Sequence, residues 1–224
     1  MRGRAVAHES QMSYLPFARP SLDEQTIEAV AQVLRSGWLT TGPRTAEFEA
    51  ALSQYFGGRK VKTYTSATAA LEVALQIAGI GPGDEVITTA MSFAATANVI
   101  LRVGAQPVFV DVELRSRNID FDQVEAAITS RTRAIMPVHF AGRPVDMNRL
   151  YALAKRHQLR VIEDAAHAMG ATWEGRRIGS IGDLVVFSFH PNKNITTIEG
   201  GALLMSQEAE AKLVEKLKFE ARVI

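Results

Sequence analysis

The chain has 224 residues and contains no cysteine. This absence excludes disulfide bonds, thiolate nucleophiles and cysteine-ligated metals, and because it fits a reducing compartment we expect a cytoplasmic protein. The sequence also lacks any apolar run near the roughly 18–20 residues needed to cross a bilayer. Its net charge is only +1 and no basic run stands out. We therefore expect neither membrane insertion nor nucleic-acid binding.

The length is sufficient for one large α/β domain, or for one domain with an arm. Residues 1–20 contain two prolines and no periodic pattern, which predicts an N-terminal arm, and residues 21–224 are expected to form the domain. Ser21 followed by Glu24 matches a capping box and predicts the start of a helix. The helix is expected to bury its apolar residues, which are Ile27, Val30, Val33 and Leu34.

Seven short apolar runs alternate with helical patterns along the rest of the chain. The predicted strands are 61–65, 85–89, 107–112, 134–138, 159–163, 184–189 and 202–205. Strands that are apolar throughout are typical of sheets buried on both faces. The alternation predicts an α/β domain with a mainly parallel seven-stranded sheet flanked by helices. Such sheets bind ligands beyond the carboxyl ends of their strands, so functional residues are expected there.

Lys193 follows the predicted strand 184–189 in the segment FSFHPNKN. A lysine whose pKa is lowered by burial or by nearby cations becomes nucleophilic and can form a Schiff base. The alternative interpretation is a solvated lysine in a loop.

Asp164 ends the buried run 159–163, and His167 follows three residues later. A carboxylate there can pair with a protonated ring nitrogen, as pyridoxal phosphate (PLP) requires. Two alternatives stay open. One is a D-x-x-H metal pair, for which no third ligand is evident, so no metal site is predicted. The other is Asp164 as a helix N-cap.

Two further strand ends carry weaker signals. The segment TSATAAL joins a strand directly to a helix, and the free N–H groups of such a helix start can bind a phosphate. Ser66 there is alternatively only a helix cap. Phe93 follows the second strand and can stack on a planar cofactor, although a core position is the simpler explanation. A phosphate site, an aromatic, a carboxylate and a lysine together are the set that PLP chemistry needs.

With these segments in view, the chain resembles the DegT/DnrJ/EryC1/StrS family of sugar aminotransferases. The similar stretches extend over about residues 15–206, and they are SGWLTTGP, TSATAAL, GPGDEVIT, SFAATAN, VIEDAAHAMG and FSFHPNKNITT-x-EGG. The resemblance implies the large domain of the aspartate aminotransferase (type I PLP) fold. The expected cofactor is PLP, bound covalently by Lys193 as the catalytic residue. The other cofactor-binding residues implied are Ala67, Thr68, Phe93, Asp164, His167 and Ser188.

The resemblance also implies the reaction. Members of the family take an amino group, usually from L-glutamate, and pass it to a nucleotide-linked keto-sugar, and they work as homodimers. Thr40, Thr41 and His190 are the implied substrate-binding residues. One branch of the family makes UDP-4-amino-4-deoxy-L-arabinose for the modification of lipid A in lipopolysaccharide, a modification linked to polymyxin resistance. The segments most similar to this branch are SGWLTTGP, PVHFAG and SFHPNKNIT.

The sequence departs from the family pattern in two ways. Ile198 stands where the family usually has a small residue, often glycine, and the smaller C-terminal domain of the family is expected to be absent. We therefore expect residues 1–224 alone to be weakly active or inactive. Two alternatives remain. One is a truncated remnant or non-catalytic binding module of the same fold. The other is a PLP-fold sugar dehydratase, although that branch replaces the aldimine lysine with histidine.

Overall fold

The computed structural model describes residues 15, 16 and 18–220, so most of the predicted arm 1–20 lies outside the described residues. The described helices are α1 Glu24–Ser36, α2 Pro43–Tyr55, α3 Ala67–Ile77, α4 Ala94–Arg102, α5 Phe121–Ala127, α6 Met147–His157 and α7 Glu208–Glu220. The described strands are β1 Lys60–Tyr64, β2 Glu85–Thr89, β3 Gln106–Val110, β4 Thr132–Ile135, β5 Arg160–Asp164, β6 Thr172–Trp173, β7 Arg176–Arg177, β8 Leu184–Ser188 and β9 Gly201–Met205. None of the described helices is long and apolar enough to cross a membrane.

Seven of these strands form one sheet in the order β1-β9-β8-β5-β4-β2-β3. Neighbours from β8 to β3 pair in parallel, whereas β9 is antiparallel to both β1 and β8. The prediction of a mainly parallel seven-stranded α/β sheet is therefore confirmed. The sequence interpretation missed the two-residue strands β6 and β7, which form a separate antiparallel hairpin.

Hydrophobic helices cover both faces of the sheet. In β8, Val185 and Phe187 enter the cluster that includes α5 and α6, while Leu184 and Val186 enter the cluster that includes α3 and α4. Every residue of β8 is buried. This two-sided burial explains why β8 and β9 are apolar without alternation, whereas the edge strands β1 and β3 are partly exposed.

The prediction for the first helix was partly wrong. The helix begins at Glu24, and its N-cap is Asp23 rather than Ser21, because the Asp23 carboxylate accepts a hydrogen bond from the amide of Thr26 at 2.8 Å. None of its residues is buried. Ile27, Val30 and Leu34 are 49%, 47% and 63% exposed, and Val33 is half-buried. The apolar stripe exists, but no described element of this chain packs closely against it.

The loops after the parallel strands meet at one edge of the sheet. There β9 runs in the opposite direction, so its first residue lies beside the start of α3. A side chain on Gly201 would collide with the backbone of Ser66 and Ala67. Glycine therefore allows the β9 backbone to approach the amino end of α3.

Candidate active site

A cavity of about 510 Å³ opens at this edge, within the range of small-molecule sites. It is lined by residues that end or follow β1, β2, β5 and β8. Those that the sequence predicted are Ala67, Thr68, Phe93, Asp164, His167, Ser188, His190 and Lys193. Residues that are distant in sequence thus meet because the strands that precede them are neighbours in one sheet.

The amino end of α3 forms one wall of the cavity. Ser66 caps the helix, and its hydroxyl accepts a hydrogen bond from the amide of Ala69 at 3.2 Å. The amides before Ala69 in the first turn have no partner among the helix carbonyls, so they can bind an anion, and the helix dipole favours negative charge there. Ser66, Ala67 and Thr68 all line the cavity. The capping interpretation of Ser66 is correct, and it is compatible with a phosphate site.

Asp164 is 5% exposed, and both of its carboxylate oxygens have partners. The Thr96 hydroxyl donates to one oxygen at 2.7 Å, and the Ala166 amide donates to the other at 3.1 Å. No helix begins after Asp164, so the N-cap alternative is wrong. The two donors fix the orientation of a buried carboxylate that faces the cavity.

Lys193 lies on the loop after β8, where its amide donates to the carbonyl of His190 at 2.9 Å. Its side chain is half-buried and lines the cavity, which is not the position of a fully solvated loop lysine. Burial lowers the pKa of the Lys193 amine, and the charge of Asp164 opposes this by raising it. Partial burial therefore makes this amine easier to deprotonate than a solvated lysine.

His167 follows Asp164 on the turn beyond β5. Burial lowers the pKa of its imidazole, the Lys193 ammonium lowers it further, and the Asp164 carboxylate opposes both. The ring lies edge-on to Phe140, with 6.5 Å between ring centroids. The neutral imidazole is thus favoured, and it can either donate or accept a hydrogen bond at the cavity.

Phe93, Ser188 and His190 complete the predicted group. Phe93 is the N-cap residue of α4 and is 76% exposed, so it is not a core side chain. The Ser188 hydroxyl accepts a long hydrogen bond from the amide of His190 at 3.4 Å. The His190 Nδ1 lies 2.7 Å from the Asn192 Oδ1.

The structure does not bring Thr40 and Thr41 to this cavity. They lie between α1 and α2, where Thr40 lines a separate hollow and the Thr41 carbonyl accepts from the Trp38 indole at 3.1 Å. The described residues of one chain therefore do not show the contact with substrate that the resemblance implies for Thr40 and Thr41.

Thr96 was missed as a functional residue. It belongs to the SFAATAN segment, and its signal was a hydroxyl in the first turn of a helix that starts at the cavity. Its role becomes visible only through the fold, because its bond to Asp164 joins residues 68 positions apart. Among residues 15, 16 and 18–220, no three His, Asp or Glu side chains are placed to hold a metal.

The sequence matches the model of a known protein family along most of its length. The DegT/DnrJ/EryC1/StrS aminotransferase family model matches residues 20–223. The chain belongs to this family. The resemblance inferred from the sequence is thereby confirmed.

Individual relatives give the same result. A protein of Shewanella sediminis (strain HAW-EB3) named UDP-4-amino-4-deoxy-L-arabinose--oxoglutarate aminotransferase is 47% identical over 207 residues, which are 92% of this chain and 53% of that protein. Spr1654 of Streptococcus pneumoniae in its PLP form is 40% identical, with a TM-score of 0.85 over 91% of this chain and 56% of that one. Helicobacter pylori PseC, an aminotransferase of pseudoaminic acid biosynthesis, is 35% identical, with a TM-score of 0.86 over 91% and 55%. The chain thus spans about half the length of the relatives it matches.

Proposed function

We propose that this chain is the cofactor-binding part of a PLP-dependent sugar aminotransferase. The proposal depends on one observation above all, which is that the side chains of Lys193 and Asp164 line the same cavity. A nucleophilic amine and a buried carboxylate in one cavity are the two groups that hold the opposite ends of a pyridoxal ring.

The cavity residues fit PLP in their chemistry. The amino end of α3, with Ser66, Ala67 and Thr68, suits the phosphate. Gly201 has no side chain, so β9 can pass close to this end of α3. Asp164 keeps two donors on its carboxylate and still faces the cavity, so it suits a protonated ring nitrogen. The solved Spr1654 structures include a PLP form and a PMP form, and their similarity to this chain supports the same cofactor.

When bound, PLP supplies an electron sink that makes the α-hydrogen of an attached amino compound acidic. The Lys193 amine would hold the cofactor covalently and, once released from it, would take and return the proton. Asp164 would keep the ring nitrogen protonated, and Phe93 would pack on the ring. His167 would contact the ring hydroxyl, and Ser188 would assist in binding the phosphate. The family resemblance implies these assignments, and the position of all five residues in the lining of one cavity supports them.

The proposed reaction transfers an amino group from L-glutamate to a nucleotide-linked 4-keto-sugar. The narrower substrate is a UDP-4-keto-pentose, giving UDP-4-amino-4-deoxy-L-arabinose for lipid A and other cell-surface glycans. The Shewanella relative, whose name contains this sugar, supports that choice at 47% identity. His190 is the proposed substrate contact on the loop of Lys193.

Further proposals concern the assembly and location of the protein. We propose that residues 21–224 form the PLP-binding domain of a cytoplasmic homodimer. Thr40 and Thr41 lie away from the cavity of their own chain. If the site is shared between two subunits, Thr40 and Thr41 of one subunit would contact the substrate bound in the cavity of the other.

A spectroscopic experiment tests the proposed function. The purified protein is titrated with PLP and is expected to develop a visible absorption band. L-glutamate is then expected to bleach the band and a UDP-4-keto-pentose to restore it, both slowly, because residues 1–224 alone are expected to be weakly active. Lys193→Ala should develop no such band, whereas Lys155→Ala, which removes a lysine of α6, should behave as the unchanged chain.

The alternatives predict different spectra. Protein that ignores added PLP would favour a non-catalytic remnant of the fold. Formation of a dehydrated sugar in place of the amino sugar, after glutamate has converted the cofactor to its amine form, would favour a dehydratase, although Lys193 stands where that branch carries histidine. A band that survives Lys193→Ala would contradict the proposed function.

A further inference from the structure

Behind Asp164 lies a buried carboxylate that the proposed chemistry does not use. Glu163 precedes Asp164 on β5, so the two side chains point to opposite faces of the sheet. The Glu163 and His139 side chains are both 0% exposed, and the Glu163 Oε2 lies 2.9 Å from the His139 Nε2. A buried carboxylate in the central strand, one residue from the candidate cofactor ligand, needs a physical explanation.

The hydrogen bonds around Glu163 define its state. The amide of Val145 donates to the His139 Nδ1 at 3.2 Å, so that nitrogen carries no proton. The His139 Nε2 therefore carries the proton of a neutral imidazole and donates it to Glu163. The Tyr151 hydroxyl donates to the other Glu163 oxygen at 2.6 Å. Burial, and next the Glu163 charge, raise the pKa of Tyr151, which keeps this donor protonated.

The same segment also binds the backbone of Asp164. The His139 amide donates to the Asp164 carbonyl at 3.0 Å, and the Asp164 amide donates to the Pro137 carbonyl at 2.9 Å. His139 thus contacts two consecutive residues of β5, with its ring on Glu163 and its backbone on Asp164. The orientation of the strand end is fixed from both sides.

The side-chain pair lies where the pairing of β4 with β5 is short. Regular pairing of β4 with β5 ends at Ile135 and Val161, and beyond it a single bridge joins Val138 to Asp164. Pro137 has no N–H group, so it takes part in this pairing only through its carbonyl. The bond from His139 to Glu163 therefore adds a side-chain contact where few backbone hydrogen bonds join the two segments.

The surroundings leave space for this arrangement. A side chain on Gly182 would collide with the Glu163 Oε1 and would lie 2.9 Å from the Tyr151 hydroxyl oxygen. The Tyr151 oxygen also accepts from the Asp183 amide at 2.7 Å. Glu163 is thus surrounded by fixed donors and has little freedom to reorient.

We propose that Glu163 and His139 are positioning residues that hold the Asp164 carboxylate in the orientation needed by a protonated pyridine nitrogen. Fixed partners behind a ligand are a general means of orienting it. This inference rests on the proposed function only for the ligand assigned to Asp164. The orientation itself is a property of the chain.

The first measurement uses the protein without cofactor. In Glu163→Gln, the negative charge is lost and one of the two donors meets an amide N–H₂ group instead of an oxygen, so one of the two hydrogen bonds to this side chain is lost. Amide hydrogen exchange at His139 and Ala166, the donors to the Asp164 carbonyl and carboxylate, is expected to accelerate by roughly tenfold, the equivalent of one lost hydrogen bond. Amides of β2 and β3 are expected to change less.

The second measurement uses ¹⁵N-labelled PLP. The ring-nitrogen resonance of the unchanged protein is expected at the protonated position, and Glu163→Gln should shift it toward the unprotonated position. A fold that is merely less stable would not move this signal in bound cofactor. Glu85→Gln is the matched control, because Glu85 is another buried carboxylate (3% exposed). It is the first residue of β2 and lies at the end of that strand away from the cavity.

The outcomes separate the two proposals. Unchanged exchange at His139 and Ala166, or acceleration equal to that in Glu85→Gln, would overturn the positioning role. Failure of the unchanged protein to bind PLP would instead count against the proposed function, and the exchange measurement would still decide the inference. If Glu163→Gln does not fold, Tyr151→Phe removes one donor and is expected to produce a smaller change in the same two amides.

Discussion

The charge of His167 depends on Lys193 across the cavity. The ammonium of Lys193 is one of the two causes that lower the pKa of the imidazole. Lys193→Met removes that positive charge and is therefore expected to raise the pKa of His167, while burial keeps it below the ordinary value. NMR titration of the histidine ring protons, assigned with His167→Gln, measures the change.

The control for this titration is Lys62→Met, which removes a lysine that pairs with Glu49 and Glu215 on another part of the surface. It is expected to leave the pKa of His167 unchanged. An equal pKa in the unchanged protein and in Lys193→Met would mean that the amine and the imidazole do not interact. The electrostatic description of the site would then be incorrect.

Ile198 adopts a backbone conformation that its side chain disfavours. Its φ is 71°, in the left-handed region that a β-branched residue rarely adopts. Ile198→Gly is expected to raise the free energy of unfolding by about 1 kcal/mol, because relief of the strain exceeds the entropic cost of glycine. Urea denaturation measures the difference.

Ile195→Gly on the same loop is the matched control. Ile195 has no positive φ, so glycine there gains nothing and is expected to lower stability. If both variants lose stability equally, Ile198 is not strained. The sequence marked Ile198 only through comparison with the family pattern, whereas the structure gives the physical reason why a small residue suits the position.

The contact between β9 and α3 can be tested with one methyl group. Gly201→Ala places a Cβ against the backbone of Ser66 and Ala67, so the start of α3 must move. The expected results are a stability loss of about 1–3 kcal/mol, as in other overpacked positions, and roughly tenfold weaker PLP binding. Titration by absorbance measures the affinity.

Pyridoxal without phosphate separates the causes of that loss. If the start of α3 binds the phosphate, pyridoxal affinity should fall less than PLP affinity in Gly201→Ala. Gly81→Ala is the control, since its nearest contact would be at 3.9 Å and its φ is not positive. Equal losses for both ligands would contradict the phosphate assignment.

Helix α1 shows where sequence patterns are insufficient. The apolar stripe of Ile27, Val30 and Leu34 was recognised, but periodicity reports only that a face is apolar, not what covers it. The strands of the sheet were predicted to within a few residues, most directly the central strands, because burial on both faces leaves a distinct apolar run in β8 and β9. The hairpin of β6 and β7 was missed because two-residue strands carry no such pattern.

The candidate site, like the fold, was predicted only in part from the sequence. Lys193 and Asp164 were identified from their places at strand ends, since parallel strands bring those ends together. Thr96 and the pair of His139 with Glu163 were not assigned roles. Their importance lies in contacts between segments 24 to 68 positions apart, which the sequence of one chain does not display.

At the scale of the whole molecule, the fold of this chain should be independent of the α1 face. Leu34→Glu replaces a side chain that is 63% exposed, so it is expected to change the free energy of unfolding by no more than about 0.5 kcal/mol. It should also reduce concentration-dependent self-association, because exposed apolar patches associate. Thermal unfolding and light scattering measure the two effects.

The comparison for this substitution is Leu52→Glu. Leu52 lies on α2 and is only 5% exposed, so a charge there is expected to unfold the domain. A large stability loss in Leu34→Glu would mean that α1 is packed within this chain. That result would contradict the exposure of its apolar face.

The site of cofactor attachment tests the central claim most directly. The protein is incubated with PLP, reduced with borohydride, digested and analysed by mass spectrometry. The pyridoxyl group is expected on the peptide containing Lys193, and Asp164→Asn is expected to weaken labelling at that lysine. Labelling at other lysines with Lys193 unmodified would contradict the assignment of this cavity as the PLP site.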